Sequence, residues 1–387
     1  MKALALNAGS STLKAALYDV EPGTALAEPP DSCWQSQVDW DPAESAAAGE
    51  AMLRQLCEGS DAPLRSPAEL EVVGHRIVHG GARFIHPTQI TAEVKEAVAS
   101  LSVSAPLHNA AGLGGVAVAE RFAGDGAAHV GVFDTAFHAA LPAAAYAYAG
   151  PYQWLEQGLR RFGFHGINHE YVAHRAARLM GRDLDELRLI TCHLGSGCSL
   201  AAVRNGRSVD TTMGFTPLDG LVMGTRSGTL DPGLVLHLLR EPGASVDDID
   251  KLLNKRSGLL GLSGCSGDLR AVLAAREQGD ARASLAVDVY IHQLSAHIGA
   301  MLGALDGLDA VVFTAGVGEH SPEVRARALR PLAFLGIELD PARNRGPDPD
   351  ADIAAETSPV RVLVIRALEE WAIARAAAVL TDGTVAH

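Results

Sequence analysis

Cysteine is scarce in this chain and widely scattered. The 387 residues include five (Cys33, Cys57, Cys192, Cys198, Cys265), an odd number with no pair at Cys-x-x-Cys spacing. A disulfide framework or zinc ribbon is thereby excluded, and the thiols are expected to be reduced. Long apolar runs are missing as well: none approaches the roughly 18–20 residues of a bilayer crossing. Met1–Val20 has neither a basic leader nor a small-residue cleavage site, so the expected location is cytoplasmic with no membrane partner. Basic residues number 32 against 46 acidic ones, for a formal charge of −14. No nucleic-acid partner is expected, because polyanion binding needs a basic face. None of the five lysines follows a glycine, which removes a Walker A loop, and no Gly-x-Ser-x-Gly elbow supplies a hydrolase serine.

What is present is a globular composition, 48% apolar, in a chain too long for one core. Single cores stop growing near roughly 250–300 residues, so two domains are expected. Of the 32 basic residues 27 are arginine, the planar donor suited to carboxylate and phosphate. Met1–Val20 reads as strand, turn and strand around Asn7-Ala8-Gly9-Ser10-Ser11-Thr12. Residues 21–70, rich in Pro, Asp, Glu and Ala, read as a surface insertion with one helix near Ser45–Leu56. A strand running into Gly74–Gly81, helices over Ala92–Ser100 and up to Arg121, and a strand at Val130–Phe133 then alternate as in an α/β sheet.

Around Ala139–Pro151 the pattern loosens, a suitable crossing into a second domain. Strand-turn-strand recurs at Leu189–Val203 around Leu194-Gly195-Ser196-Gly197, and a third turn, Ala315–Glu319, follows the strand Ala310–Thr314 and precedes a helix from about Pro322. A last strand, Val360–Ile365, leads to an amphipathic helix over Glu369–Leu380. His169–His174 resembles a zincin site with one residue too many, and Gly112-Leu113-Gly114 follows a helical stretch where a dinucleotide fingerprint needs a strand. Both are read as ordinary helix faces. The Gly/Ser turns differ: glycine admits main-chain N–H groups close to an anion, and small hydroxyls add donors without bulk. Three such turns fed by strands, in both halves, point to a nucleotide held between two domains.

At Asn7–Lys14, Gly74–Gly81, Phe133–His138, Phe162–Gly166, Met213–Pro217, Met223–Arg226 and Phe313–Glu319 the chain resembles the acetate kinases, of the acetate and sugar kinase, Hsc70 and actin superfamily. The resemblance implies an α/β fold of two ribonuclease H-like (actin-like ATPase) domains with an interdomain active-site cleft. It would place residues 1–138 plus 371–387 in the first domain and 139–370 in the second, which would bind nucleotide and form a homodimer. It further implies reversible transfer of the ATP γ-phosphate to acetate, giving acetyl phosphate and ADP by direct in-line displacement.

The same resemblance assigns residues. Arg76, Arg226, Asp134 and His165 would be catalytic, with Arg76 also holding the acid. Val78, Leu107, Phe164 and Pro217 would line the acyl pocket, where a valine at position 78 favours a two-carbon acid. Lys14, His193, Leu194, Gly195, Ser196, Gly197, Asp268, Leu269, Arg270, Gly316, Val317, Gly318, Glu319 and His320 would meet the nucleotide. Asn7 and Glu369 would contribute to a Mg²⁺ site, with Mn²⁺ as a substitute. Blander roles remain open on sequence alone: an interface salt bridge for either arginine, a core histidine for His165, a helix N-cap for Asp134 and a solvated strand end for Lys14. Ser196, His320 and Leu368 depart from the family's usual Asn, Asn and Asn or Asp, all on the nucleotide side. Rivals are a propionate or other short-chain acyl kinase, and a nucleotide-binding switch that transfers no acyl phosphate.

Overall fold

The computed structural model describes residues 1–9, 11–21, 23–41, 46–101, 106–348 and 350–383. Its chain contacts divide into two compact units. One comprises Met1–Ala139, Phe164–Arg175 and Leu368–His387, the other Ala140–Gly163 and Ala176–Ala367. The first boundary falls where the sequence loosens. The segment Phe164–Arg175 departs from the sequence-based division, which put it in the second domain. Its reason is local: the Gly166 amide donates to the Asp134 carbonyl at 2.8 Å, which ties the start of the helix Gly166–Met180 to the first unit.

The first unit is built on six strands, β1 (Lys2–Ala8), β2 (Thr12–Asp19), β3 (Trp34–Asp39), β4 (Val72–Ile77), β5 (Thr88–Gln89) and β6 (Ala128–Phe133), in the order β3-β2-β1-β4-β6-β5. β1 to β3 form an antiparallel meander, β4 and β6 run parallel to β1, and β5 is antiparallel at the edge. β1 is an almost unbroken apolar run because both faces of the sheet are covered. β3 alternates half-buried and exposed positions, as an outer strand does. Its polar, tryptophan-led sequence made the segment look like a pure insertion; the expected helix is present as Ala46–Arg54, with Ser45 outside the described residues.

One face is closed by the helix Glu369–Thr381, which packs on β1, β2, β4 and β6. Gly74 makes that approach feasible, since a Cβ there would lie 2.8 Å from the Ile373 carbonyl oxygen. The other face holds the cluster of Leu4, Leu6, Leu13, Leu17, Met52 and Leu53, all essentially inaccessible. Gly112-Leu113-Gly114 lies within the helix Pro106–Ala123 and His169–His174 within Gly166–Met180, as read from the sequence.

The second unit repeats the plan with β7 (Arg188–Leu194), β8 (Cys198–Arg204), β9 (Arg207–Thr211), β10 (Ala310–Thr314), β11 (Ala351–Asp352) and β12 (Arg361–Val364), in the order β9-β8-β7-β10-β12-β11. Again the first three strands are antiparallel, the next two inner ones parallel to β7, and the last antiparallel at the edge. The helix Ala281–Leu305 covers β7, β8 and β9; Asp280 starts it by accepting from the amides of Arg282 and Ala283, and Asp306 ends it at φ +55°. The third turn is more ordered than expected: Ala315–His320 is already helical, followed by a break at Ser321 and the helix Pro322–Leu329.

Candidate active site

In a parallel α/β sheet the carboxyl ends of neighbouring strands fall along one edge, where ligands bind. In the first unit that edge carries Asn7 from β1, Arg76 from β4 and Asp134 immediately after β6. They are bonded to one another. Arg76 donates from Nε and Nη2 to Asp134 Oδ2 at 3.0 and 2.6 Å, and from Nη1 to Asn7 Oδ1 at 3.1 Å. Asn7 Nδ2 donates to Glu369 Oε2 at 2.8 Å and to Glu370 Oε1 at 3.1 Å. Both glutamates sit in the first turn of their helix, where its dipole favours negative charge.

Asp134 is 1% exposed and the Arg76 side chain 15%. Burial alone would favour a neutral Arg76, but the carboxylates of Asp134 and Glu369 more than offset it and hold the guanidinium firmly charged. Burial also pushes the Asp134 carboxyl above its ordinary range, with Arg76 opposing. Such a pair stabilises the fold little, since desolvation consumes most of the attraction. What it achieves is a cation fixed in place before any ligand arrives.

His165 follows Phe164 with φ +58°, a left-handed conformation that a side-chain-bearing residue adopts only at a cost. The next residue must be glycine, because a Cβ at position 166 would lie 2.2 Å from the Asp134 carbonyl oxygen. The strained histidine is thus locked to the segment that carries Asp134. Nearby, Val78 and Phe164 are 7% and 1% exposed, and the Phe164 ring meets His79 edge-on at 5.5 Å. Leu107 begins the helix Pro106–Ala123, but its side chain lies outside the described residues. Lys14 is exposed on β2 directly opposite Asn7.

The remaining candidates belong to the second unit. The β7–β8 turn closes with the Gly195 amide donating to the Gly197 carbonyl at 3.0 Å, and the Ser196 carbonyl accepts from the Gly224 amide at 3.1 Å. His193 is 7% exposed and Leu194 fully buried, so Leu194 has only main chain to offer a ligand. Arg226 sits in a loop pinned by its own carbonyl, which accepts from Met223; its Nη1 donates to the Pro217 carbonyl at 3.2 Å. Asp268 caps the helix Leu269–Glu277, and the Arg270 guanidinium turns back onto that same carboxylate at 2.6 Å. Leu269 is buried in the core.

In the helix Ala315–His320, a Cβ on Gly316 would meet nothing within 4 Å, whereas Glu319 Oε1 accepts from the Ala367 amide at 2.9 Å and His320 Nδ1 pairs with the Gly316 carbonyl at 3.0 Å. Sequence reasoning missed Arg325, which is wholly buried and donates at 2.8 Å to the carbonyls of both Gly318 and Glu319. It also missed Glu370, although the Glu-Glu pair opening the last helix was a usable signal.

The chain matches the model of the acetokinase family over residues 2–375. It is 52% identical to the acetate kinase of Gloeobacter violaceus, with 97% of this chain and 98% of that one covered, and 50% identical to that of Trichormus variabilis over the same shares. Among solved structures it is similar to the Porphyromonas gingivalis acetate kinase (TM-score 0.86, 38% identity, 98% and 99% of the two chains). It is also similar to a Francisella tularensis propionate kinase (TM-score 0.85, 33% identity, 97% and 98%). The match along nearly the whole chain, together with the duplicated sheet, makes this chain a member of the acetokinase family.

Proposed function

We propose that the protein is an acetate kinase, transferring the γ-phosphoryl group of ATP reversibly and in line to acetate. An acetate oxygen forms the new O–P bond as the bond to the β-phosphate bridging oxygen breaks, giving acetyl phosphate and ADP. Acetate is ionised near neutral pH, so no base is required. What the reaction needs is fixed positive charge against two anions and against the charge that spreads in the transition state. The observation that carries the reading is the buried Arg76, preset by Asp134 and Asn7.

In this reading Arg76 receives the carboxylate, while Asp134 sets the guanidinium's direction and does not move a proton. Arg226 and His165 neutralise the transferring group. The turn His193–Gly197 and the segments Asp268–Arg270 and Gly316–His320 hold the nucleotide, chiefly through main chain, and Lys14 adds a point charge. Val78 and Phe164, with Leu107 and Pro217, select the short acid.

The donor set at Asn7, Glu369 and Glu370 fits Mg²⁺, a hard cation that takes one or two carboxylates and keeps its waters. No group of three or more His, Cys, Asp or Glu that would suit a cation caged by protein alone occurs among the described residues. Bound there through Glu369 and Asn7, the ion would neutralise β- and γ-phosphate oxygens. Mn²⁺ has similar oxygen preferences.

A reaction on ATP and ADP suits the cytoplasm, which we propose as its location. No described helix is long and apolar enough to cross a membrane. We further propose a homodimer formed through the second unit. The helix Pro232–Leu239 there is apolar yet buries no residue, with Leu234 44% and Leu236 51% exposed. Leu236→Glu should yield monomers by light scattering after gel filtration; an unchanged mass would remove this interface.

The function is tested by trapping acetyl phosphate as hydroxamate from ATP, Mg²⁺ and acetate. Folded protein that yields no hydroxamate would refute it. Val78→Ala should raise kcat/KM for propionate relative to acetate by roughly 10-fold, the scale of one methylene.

A further inference from the structure

The first unit contains a cavity of about 320 Å³, lined in part by Phe133, Ala136 and Ala372, that no step of the phosphoryl transfer uses. Its walls are mostly apolar, from Phe133, Phe137, Ile167 and Val379, yet Glu170 and Arg375 both face it. Glu170 lies one turn into the helix Gly166–Met180 and Arg375 in the second turn of Glu369–Thr381. Arg375 Nε donates to the Thr24 carbonyl at 2.8 Å, which fixes the guanidinium. Its two terminal nitrogens, and the Glu170 carboxylate, have no hydrogen-bond or ion-pair partner among the described residues.

An acid and a base thus line one mostly apolar pocket without bridging each other, Glu170 exposed at its solvent side and Arg375 half-buried. The surrounding protein strips part of the water from each group, which pushes the Glu170 carboxyl up and the Arg375 guanidinium down, each only partly relieved by the other's charge. The half-buried guanidinium is costly to hold this way unless something pairs it, and the exposed carboxylate is accessible to a ligand. The size suits a small ligand, at the lower end of the roughly 300–1,000 Å³ usual for such pockets. A ligand that satisfies every wall carries a cation, an anion and an apolar body close together.

We propose that this cavity is a binding site for an apolar α-amino acid. Glu170 receives its ammonium group, the terminal nitrogens of Arg375 its carboxylate, and the phenyl and aliphatic walls its side chain. The site is separate from the acid-binding residues, and its occupancy is read without any turnover.

The test is calorimetric titration of the full chain with L-phenylalanine and with L-leucine, beside phenethylamine and N-acetyl-L-phenylalanine. At least one amino acid should bind saturably, one per chain, and at least 10-fold more tightly than either phenethylamine or N-acetyl-L-phenylalanine. Glu170→Gln, which keeps the volume and breaks no bond in the fold, should weaken it 10-fold or more, and Ala376→Leu should abolish it by filling the chamber. Binding of neither amino acid would overturn the proposal. So would equal affinity for the truncated analogues, or an unchanged constant in a Glu170→Gln protein of normal melting temperature.

Discussion

Two sheets of one strand order end their parallel strands in opposite chemistry. In the first unit β1, β4 and the residue after β6 present Asn7, Arg76 and Asp134, side chains that bond each other and the two glutamates. In the second, β7 and β10 run into Gly195-Ser196-Gly197 and Ala315-Gly316, where the turn is held by main-chain bonds. The same scaffold has been spent twice, once on fixed charge and once on open backbone. On the proposed reaction, charge suits the reacting groups, whose recognition must be strong in the transition state, whereas backbone N–H groups suit a polyphosphate that needs many equal donors.

The contrast breaks most visibly at Arg76. Arg76→Met should cost about 3–5 kcal/mol in denaturant titrations, because Asp134 is left charged and buried, and should lower kcat/KM by about 1,000-fold or more. Pairing it with Asp134→Asn should return much of the stability and none of the activity. Activity that survives the single change would remove the charged half of the comparison. Arg226→Ala comes next: kcat should fall about 100- to 1,000-fold, more than the KM for acetate rises, with a smaller change in melting temperature than at Arg76. Unchanged turnover would reduce Arg226 to a loop anchor.

Acid should act through the first unit. His75 and His129 stack there with Nε2 and Nδ1 2.9 Å apart, and burial holds both below the ordinary histidine value, His75 well below; His79 is pushed down to about 4. The unfolded chain, titrating near 6.5, binds more protons than the native one below that pH. Stability is therefore complete above about pH 6.5 and declines as pH falls toward 4, by on the order of 3 kcal/mol from His79 alone. Melting temperatures between pH 7.5 and 4.5 should show the slope, and the double change His75→Leu, His129→Leu should reduce it to the part that His79 contributes; an identical slope would clear the pair.

The smallest effect probes the backbone half. Gly316→Ala adds a methyl that meets no protein atom, in a helical residue, so stability should hold or rise by roughly 0.5–1 kcal/mol. If the nucleotide lies against this backbone, KM for ATP should rise several-fold while KM for acetate stays constant. An unaltered KM for ATP would move the nucleotide elsewhere.

Much of this was legible in the residues. The apolar runs of β1, β4, β7 and β10, the Gly/Ser turns and the Glu369 helix carry local signals, so they were read nearly in place. β3 was not, because an edge strand with one wet face has little apolar pattern to show. Glu370 and Arg325 escaped because their partners, Asn7 and the Gly318 and Glu319 carbonyls, are known only after folding. The same holds for His165. Its motif was visible, but that residues 164–175 side with the first unit rests on contacts distant in sequence, among them the Gly166 amide on the Asp134 carbonyl and Arg175 on the Ala27 carbonyl.

The helix Glu369–Thr381 has a temporal consequence. It covers β1, β2, β4 and β6, and it delivers the two carboxylates bonded to Asn7. During synthesis on the ribosome, strands β1 and β2 must wait for residues 369–381 to emerge before their sheet is covered. A nascent chain stalled before position 369 would hold a half-clothed sheet and no carboxylates at Asn7, so that part of the site is completed only after the helix Glu369–Thr381 has left the ribosome.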